Sequence, residues 1–195
     1  MNYYVYLFGN IGLILCNVMI LIISLSIKDW ASQDSWEGSL LSTSSSYYKD
    51  APCTDSSSTC KVYSRLWKSG LIILSFDILS ILSLLFLVYL LFRLVNNSRI
   101  PLLVIYSMET LSIVFHFIGY FVWVLMNSAT YSSDCKSDGS EICAKSGPIL
   151  SLVILLLMPI QVVCLVFTLK FTRKQKKKKH LRASQDLKNF DSDRI

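Results

Sequence analysis

Three ionisable side chains lie inside the long apolar runs of this sequence, where they could hold or pass a proton. Asp77 and His116 fall in different runs at similar distances from one end, so we expect them to pair. Glu109 shares a run with His116 but lies nearer the opposite end, where Asn10 is its expected partner. Ionisable groups are costly in lipid and usually face the protein interior. These residues would suit a proton-sensitive hinge, an ion-conducting path or interior polar contacts, and we favour the last.

Four of the six cysteines lie in hydrophilic loops. Cys53 and Cys60 share the longer loop, and Cys135 and Cys143 share the shorter one. Paired cysteines are expected in an oxidising compartment, which indicates that both loops face outward. Four cysteines allow three connectivities, with pairing either within each loop or between the loops. We favour pairing within the loops because each pair is close in sequence.

The residue types needed for catalysis do not cluster in this sequence. Its two histidines are His116 and His180, and it has no Cys-x-x-Cys pair and no glycine-rich phosphate-binding loop. We therefore expect no enzymatic activity, no metal site and no cofactor.

Four apolar runs must position these residues. The chain has 195 residues, 53% of them hydrophobic, and a mean hydropathy of +0.50, more apolar surface than a soluble domain of this size can cover. Each run reaches the roughly 20 residues needed to cross a hydrocarbon core of about 30 Å, and continuous apolar runs indicate helices. We predict an all-α membrane protein, a left-handed four-helix transmembrane bundle with spans at residues 3–27, 70–95, 101–126 and 148–169.

Polar side chains recur along one face of the first span. Asn10, Asn17 and Ser24 are spaced by seven residues, and polar groups in lipid seek partners. This face should therefore point into the bundle. Gly9 and Gly12 would permit a close approach of a neighbouring helix there.

Lysine and arginine set the orientation. The segment from Lys170 onward holds ten of these residues. Arg93 at the end of the second span and Arg99 in the short loop lie on the same side, so that side is predicted to be cytoplasmic. Both termini are then cytoplasmic, and the loops at residues 28–69 and 127–147 face outward. The net charge of +6 comes almost wholly from the tail. Because this basic run abuts a span, we do not expect nucleic-acid binding.

The predicted membrane domain covers residues 1–172, and the basic tail, residues 173–195, is expected to be disordered. A basic patch beside a span is attracted to anionic lipid by about 1 kcal/mol per charge, although it could serve only to fix topology. The expected lipid contacts are Arg173, Lys174, Lys176, Lys177, Lys178 and Lys179. The chain ends in Asp193, Arg194 and Ile195, which could bind a PDZ domain by strand addition.

The order of segments resembles the claudin and peripheral-myelin-protein superfamily: four spans, a long first outer loop, a short inner loop, a shorter second outer loop and a basic tail. That family's first loop carries a Trp, then Gly-Leu-Trp, then two cysteines. Trp30 matches the first element, and Cys53 and Cys60 match the last. Residues 61–63 are similar to the stretch that follows the second cysteine in many claudins. The Gly-Leu-Trp element is missing, and residues 46–48 are the nearest to it.

The resemblance implies a small disulfide-stapled extracellular antiparallel β-sheet, built mostly from the first loop with a strand from the second. In this chain it implies that Trp30 packs the sheet on the bundle and that Cys53 and Cys60 join two strands. Residues 46–48 and 59–63 carry strand-like side chains on either side of a predicted hairpin.

The resemblance also implies a function at the plasma membrane. We expect a protein of cell–cell junctions or adhesion that self-associates in cis and in trans, and whose outer loops form or regulate a paracellular barrier or pore. The alternative is an auxiliary subunit that modulates or traffics a larger membrane channel or receptor. The partners expected are the lipid bilayer, further copies of the chain and a PDZ scaffold, or that larger channel or receptor.

Overall fold

The structure is a computed structural model that describes residues 3–33, 36–43, 47–48, 58–95, 100–131 and 142–192. It consists of four long helices and a small sheet. The helices are α1 (Tyr3–Ser26), α2 (Ser58–Val95), α3 (Leu102–Asn127) and α4 (Ser146–Ser192). The strands are β1 (Ala31–Gln33), β2 (Trp36–Gly38), β3 (Ala129–Thr130) and β4 (Ile142–Ala144).

All four predicted spans are confirmed as helices that are long and apolar enough to cross a membrane. The segments that meet this criterion are Tyr4–Ser26, Cys60–Leu94, Leu102–Asn127 and Ser146–Lys174. Their length and composition indicate a multi-pass membrane protein.

Each helix packs mainly against two others, in the cyclic order α1–α2–α3–α4. The contacts between α2 and α3 are the most extensive, followed by those between α1 and α4. Leucine and isoleucine side chains fill the centre of the bundle, among them Leu7, Ile14, Leu91, Ile105 and Leu165. The left-handed twist of the bundle stays a prediction.

The second helix begins earlier in the chain than its hydropathy indicates. We expected a strand at residues 59–63 and a span from residue 70, but α2 starts at Ser58, so the expected strand is wrong. Val62, Leu66 and Ser69 lie on one helical face and are buried, whereas the charged residues between them lower the mean hydropathy. The extra turns carry α2 about 18 Å beyond the expected start of the span.

The sheet has the strand order β2–β1–β4–β3. Strand β1 pairs antiparallel with β2 and with β4, so the first-loop strands lie within residues 31–38 and not at the expected residues 46–48 and 59–63. Strand β3 pairs parallel with β4. The second loop thus contributes two strands instead of one, and the sheet is mixed. A parallel pair needs a longer connection than a tight turn, and residues 131–141 provide that length. We call this sheet, with residues 39–43 and 47–48, the cap.

The cap rests on a second apolar cluster at the end of the bundle. Trp30 and Trp123 meet edge to face with ring centroids 5.2 Å apart, and both are fully buried. Leu66 of α2 and Ile142 of β4 complete the centre of this cluster. The cluster therefore joins elements of both loops to all four helices, with Leu25 of α1 and Leu155 of α4 at its margin.

The basic tail departs from the disorder expected for residues 173–195, because α4 continues as one helix to Ser192. Lysine, arginine, leucine and glutamine are good helix formers, which accounts for the extension. Arg173 and Lys174 are exposed. The side chains of Lys176–Lys179 are not among those described, and Asp193, Arg194 and Ile195 lie outside the described residues.

Candidate functional site: a buried polar column beneath the cap

The structure brings Asp77 of α2 and His116 of α3 into direct contact inside the bundle. The Nδ1 atom of His116 lies 2.6 Å from Oδ1 of Asp77, and both side chains are fully buried. The helices run antiparallel, so two residues at similar depth meet where their faces turn toward each other. The depth of the two residues along their helices and the faces on which they lie were therefore sufficient to predict this contact from the sequence.

The other side of the His116 ring fixes the arrangement of protons. Its Nε2 lies 3.0 Å from the carbonyl oxygen of Ser151 on α4. A carbonyl oxygen only accepts, so Nε2 must carry a hydrogen. The Nδ1 contact with Asp77 then holds one shared proton, either as an imidazolium–carboxylate pair or as a neutral imidazole with a protonated carboxyl. Both forms have zero net charge, which lowers the cost of the pair in lipid.

Hydrogen bonds continue from this pair toward the cap. The hydroxyls of Ser151 and Ser24 are 2.8 Å apart, and Ser24 Oγ donates to the carbonyl oxygen of Gly147 at 3.0 Å. The indole Nε1 of Trp30 donates to the Ser24 carbonyl oxygen at 2.7 Å. We call Asp77, His116, Ser151, Ser24 and Trp30 the polar column. It connects all four helices to the first residues of the cap.

Trp30 is held by shape as well as by this hydrogen bond. A Cβ atom added to Gly147 would lie 2.5 Å from Nε1 of the indole ring, so only glycine leaves room for the ring there. The backbone N–H of Gly147 donates to the Asp29 carbonyl oxygen at 2.9 Å. Trp30 and Gly147 therefore hold the start of α4 against the segment that leads into the cap.

A second buried network lies in the other half of the bundle. Gln161 of α4 donates from Nε2 to both carboxyl oxygens of Glu109, at 2.8 and 2.9 Å, and accepts from Nδ2 of Asn17. The expected Glu109–Asn10 contact is wrong, because α1 and α3 are not neighbours and Gln161 lies between their faces. Asn10 instead donates to Thr168 Oγ1 at 3.4 Å.

Two further polar contacts join α2 to α3, and neither is predicted by the sequence pattern. Ser80 and Ser112 have hydroxyls 3.0 Å apart. At the cap end, Asn127 donates from Nδ2 to Ser69 Oγ at 2.7 Å and to the Trp123 carbonyl oxygen at 2.8 Å. Asn127 was assigned to a loop, although its place one turn after Trp123 already indicated the same buried face.

The cap itself contains a weak charge pair and a buried phenol. Lys145 Nζ lies 3.6 Å from Glu37 Oε1, but both side chains are largely exposed, so the pair adds little stability. Tyr48 donates to the Ser39 carbonyl oxygen at 3.1 Å. Burial, reinforced by the neighbouring phenol of Tyr63, raises the pKa of Tyr48. Tyr48 therefore stays protonated and keeps its hydrogen bond at physiological pH.

The cysteines divide into two classes. Cys60 at the start of α2 and Cys143 on β4 are in disulfide bonds, whereas Cys16 and Cys164 inside the helices are free. Cys53 and Cys135 lie outside the described residues. The connectivity of the disulfides stays a prediction.

A groove about 330 Å³ in volume opens between α1 and α4 at the end of the bundle away from the cap. Asn10 forms part of its wall, and the Oδ1 atom of this buried side chain has no hydrogen-bond partner. The expected close approach of a helix to Gly9 and Gly12 is wrong within the monomer, since a Cβ at either position would meet nothing within 4 Å. The groove is lined by Val5, Tyr6, Gly9, Asn10, Leu13, Cys164, Phe167 and Thr168.

The two polar networks hold helices together and offer no open site for a substrate. Among the residues that the structure describes, no three His, Cys, Asp or Glu side chains gather as metal ligands do. Asp77, His116 and Glu109 are each at most 2% exposed. Comparison of the chain with protein-family models, with curated proteins and with solved structures finds no match.

Proposed function

We propose that this chain is a claudin-like tetraspan protein of the plasma membrane that acts in cell–cell junctions or adhesion through its cap. Its termini lie in the cytoplasm, and the cap faces a neighbouring cell, where it forms or regulates a paracellular barrier or pore. The observation that carries this proposal is the fixed attachment of the cap to the bundle at Trp30, which we call the joint. A surface that binds across an intercellular gap needs a fixed orientation relative to its membrane, because preorganisation reduces the entropy lost on binding.

The buried ionisable residues favour this proposal over an ion path. Asp77 and His116 form a net-neutral pair, and Glu109 is bound by Gln161 through both carboxyl oxygens. Each group is thus engaged by a side chain of another helix. We assign these three residues the role of fixing the bundle under the cap.

We propose that the disulfides pair within the loops, Cys53 with Cys60 and Cys135 with Cys143. Cys60 lies in the first turn of α2 and Cys143 in the central strand β4. A bond to each would fasten the middle of either loop to a rigid element. The first disulfide would then join the first loop to α2, and the second disulfide would join the second loop to β4.

The exposed aromatic surface of the cap offers an adhesive contact. Tyr47 is 59% exposed and meets Trp67 of α2 edge to face, with ring centroids 6.4 Å apart. Tyrosine and tryptophan are enriched at the centres of protein interfaces. We assign this pair to the surface that binds the opposing copy.

The test is a mixed culture of junction-deficient cells with and without the protein. Self-binding in trans requires enrichment at contacts between two expressing cells and none at contacts with a null cell. Tyr47→Ser should reduce the enrichment about fivefold, the effect of losing about 1 kcal/mol. Tyr89→Ser is the matched control, because Tyr89 is 50% exposed near the other end of α2. Equal signal at both kinds of contact would overturn the adhesion proposal.

The groove between α1 and α4 favours a second function, that of an auxiliary subunit of a larger membrane channel or receptor. Asn10 lies seven residues, about 10 Å, from the start of α1. At that depth a transmembrane helix can bring a hydroxyl or amide donor to its Oδ1. The bare backbone at Gly9 and Gly12 suits close helix packing. We propose a transmembrane helix of the larger protein as the occupant.

This second function predicts a complex whose integrity depends on the groove. In native gels of mildly solubilised membranes, Gly9→Leu should shift the protein from a heavier complex to the mass of the free chain. Val153→Leu places the same residue type at an exposed position of α4 in the other half of the bundle and should leave the complex intact. A complex that survives Gly9→Leu would exclude the groove as the docking site.

The exposed side chains of Arg173 and Lys174 support contact of the tail with anionic lipid on the cytoplasmic side. We also propose that the terminal residues Asp193, Arg194 and Ile195 bind a PDZ scaffold, which would tether the protein at cell contacts.

A further inference from the structure

A cavity of about 540 Å³ lies where the end of α1 meets the edge of the cap. The last turn of α1 and Ile27 form its floor. Its walls come from Lys28, Asp29 and the part of the cap around β2, including Ser39 and Ser42. The cavity is open on one side, so a ligand can enter without any movement of the bundle.

The position of the cavity relative to the bilayer follows from the length of α1. This helix has 24 residues and is therefore about 36 Å long, against about 30 Å for the hydrocarbon core. The ends of α1 thus reach the headgroup layer. The cavity consequently opens among phospholipid headgroups.

The side chains around the cavity carry both signs of charge. Lys28 provides a cation, Asp29 and Glu37 provide carboxylates, and Ser26, Ser39 and Ser42 contribute hydroxyls. Lys145 lies 3.6 Å from Glu37, so the charged groups around the cavity sum to zero and give an anionic headgroup no net attraction. A headgroup with a phosphate and an ammonium matches the whole set, because each of its charges finds the opposite one.

The surface of α1 below the cavity is apolar and faces outward. Ile22 and Ile23 are 43% and 48% exposed. A lipid whose headgroup occupied the cavity could therefore run its acyl chains along this side of α1 without leaving the membrane.

We propose that this cavity binds the zwitterionic headgroup of a phospholipid from the leaflet on the cap side. The phosphate lies beside Lys28, and the ammonium lies toward Asp29 and Glu37. The bound lipid fills the space under the β2 edge of the cap. This site does not depend on adhesion or on a protein partner.

The test is native mass spectrometry of the full-length protein in mild detergent, with phosphatidylcholine and phosphatidylglycerol that carry the same acyl chains. The wild type should bind phosphatidylcholine more tightly than phosphatidylglycerol. Lys28→Gln should weaken phosphatidylcholine binding about fivefold, the effect of one charge near the membrane surface. Lys61→Gln, an exposed lysine at the start of α2, is the matched control and should change binding less than twofold.

Three results would overturn the proposal. Equal binding of the two lipids by the wild type would contradict recognition of a zwitterionic headgroup. This result does not depend on whether any variant folds. Equal effects of Lys28→Gln and Lys61→Gln would place lipid binding elsewhere. Displacement of bound phosphatidylcholine by millimolar inorganic phosphate would assign the cavity to a soluble anion. Glu37→Gln supplies a further check, because it should narrow the preference for phosphatidylcholine over phosphatidylglycerol.

Discussion

At the scale of single residues, the Asp77–His116 pair is stable because each side chain provides the hydrogen-bond partner that the other needs in a buried site. Removing one partner of a buried pair costs about 3–5 kcal/mol, since the remaining polar group keeps its desolvation cost without compensation. An uncharged replacement that preserves the hydrogen bond avoids most of this cost. The two kinds of substitution should therefore differ sharply.

We predict that His116→Ala lowers the unfolding temperature in detergent by about 10 °C, because Asp77 loses the partner of its Oδ1 atom. Asp77→Asn should cost far less. Its amide can donate to Nδ1 of a neutral His116, whose Nε2 still donates to Ser151. Thermal unfolding followed by circular dichroism measures both. Equal losses would mean that the charge of Asp77, and not its hydrogen bond, stabilises the bundle.

Gln161 gives a second prediction at this scale, because it binds both Glu109 and Asn17. Gln161→Leu leaves a buried carboxyl without its partner and should destabilise the protein by about 3 kcal/mol. Thr168→Val on the same helix loses a 3.4 Å bond to Asn10 and should cost about 1 kcal/mol or less. Chemical unfolding in mixed micelles compares the two. A smaller effect at Gln161 than at Thr168 would contradict the assigned network.

At the scale of elements, the joint between the cap and the bundle depends on the absence of a side chain at Gly147. We predict that Gly147→Ala displaces Trp30 and loosens the cap, because the new Cβ would overlap the indole ring. Gly12→Ala is the control, since its Cβ meets nothing within 4 Å and should be neutral or slightly stabilising. Limited proteolysis of the outer loops should accelerate for Gly147→Ala only, and unchanged cleavage would show that the joint tolerates a methyl group.

Elements whose signal is local could be predicted from the sequence, and those set by distant contacts could not. The four helices follow from apolar length alone, which needs no tertiary information. The start of α2 was missed because Lys61, Arg65 and Lys68 lower the hydropathy of an amphipathic segment that buries Val62 and Leu66. The parallel pairing of β3 with β4 depends on the path of the second loop, which no residue pattern fixes.

The same distinction separates the two buried networks. Asp77 and His116 could be paired from depth because consecutive helices are usually neighbours. The partner of Glu109 could not, since it required the cyclic order of all four helices. Only that order shows that Gln161 of α4 lies between α1 and α3.

At the scale of the whole molecule, the proposed disulfides would connect the loops to the framework that the helices provide. Removing a native disulfide typically costs 2–5 kcal/mol, and unstable membrane proteins are retained inside the cell. Cys53→Ser should therefore impair delivery to the cell surface far more than Cys164→Ser, because Cys164 is a free thiol within α4. Surface biotinylation gives the ratio, and equal delivery of the two variants would remove the basis for a stapled cap.

Double variants then distinguish the possible connectivities. Substituting the second cysteine of a disulfide that is already lost should cause no further loss of stability. If pairing is within the loops, Cys53→Ser with Cys60→Ser should lower the unfolding temperature no more than either change alone. Combining Cys53→Ser with Cys135→Ser should then give the sum of two losses. Pairing of Cys53 with Cys135 would reverse these results. The reversed pattern would mean that the two outer loops are held to each other, and that Cys60 ties α2 directly to Cys143 of β4 in the cap.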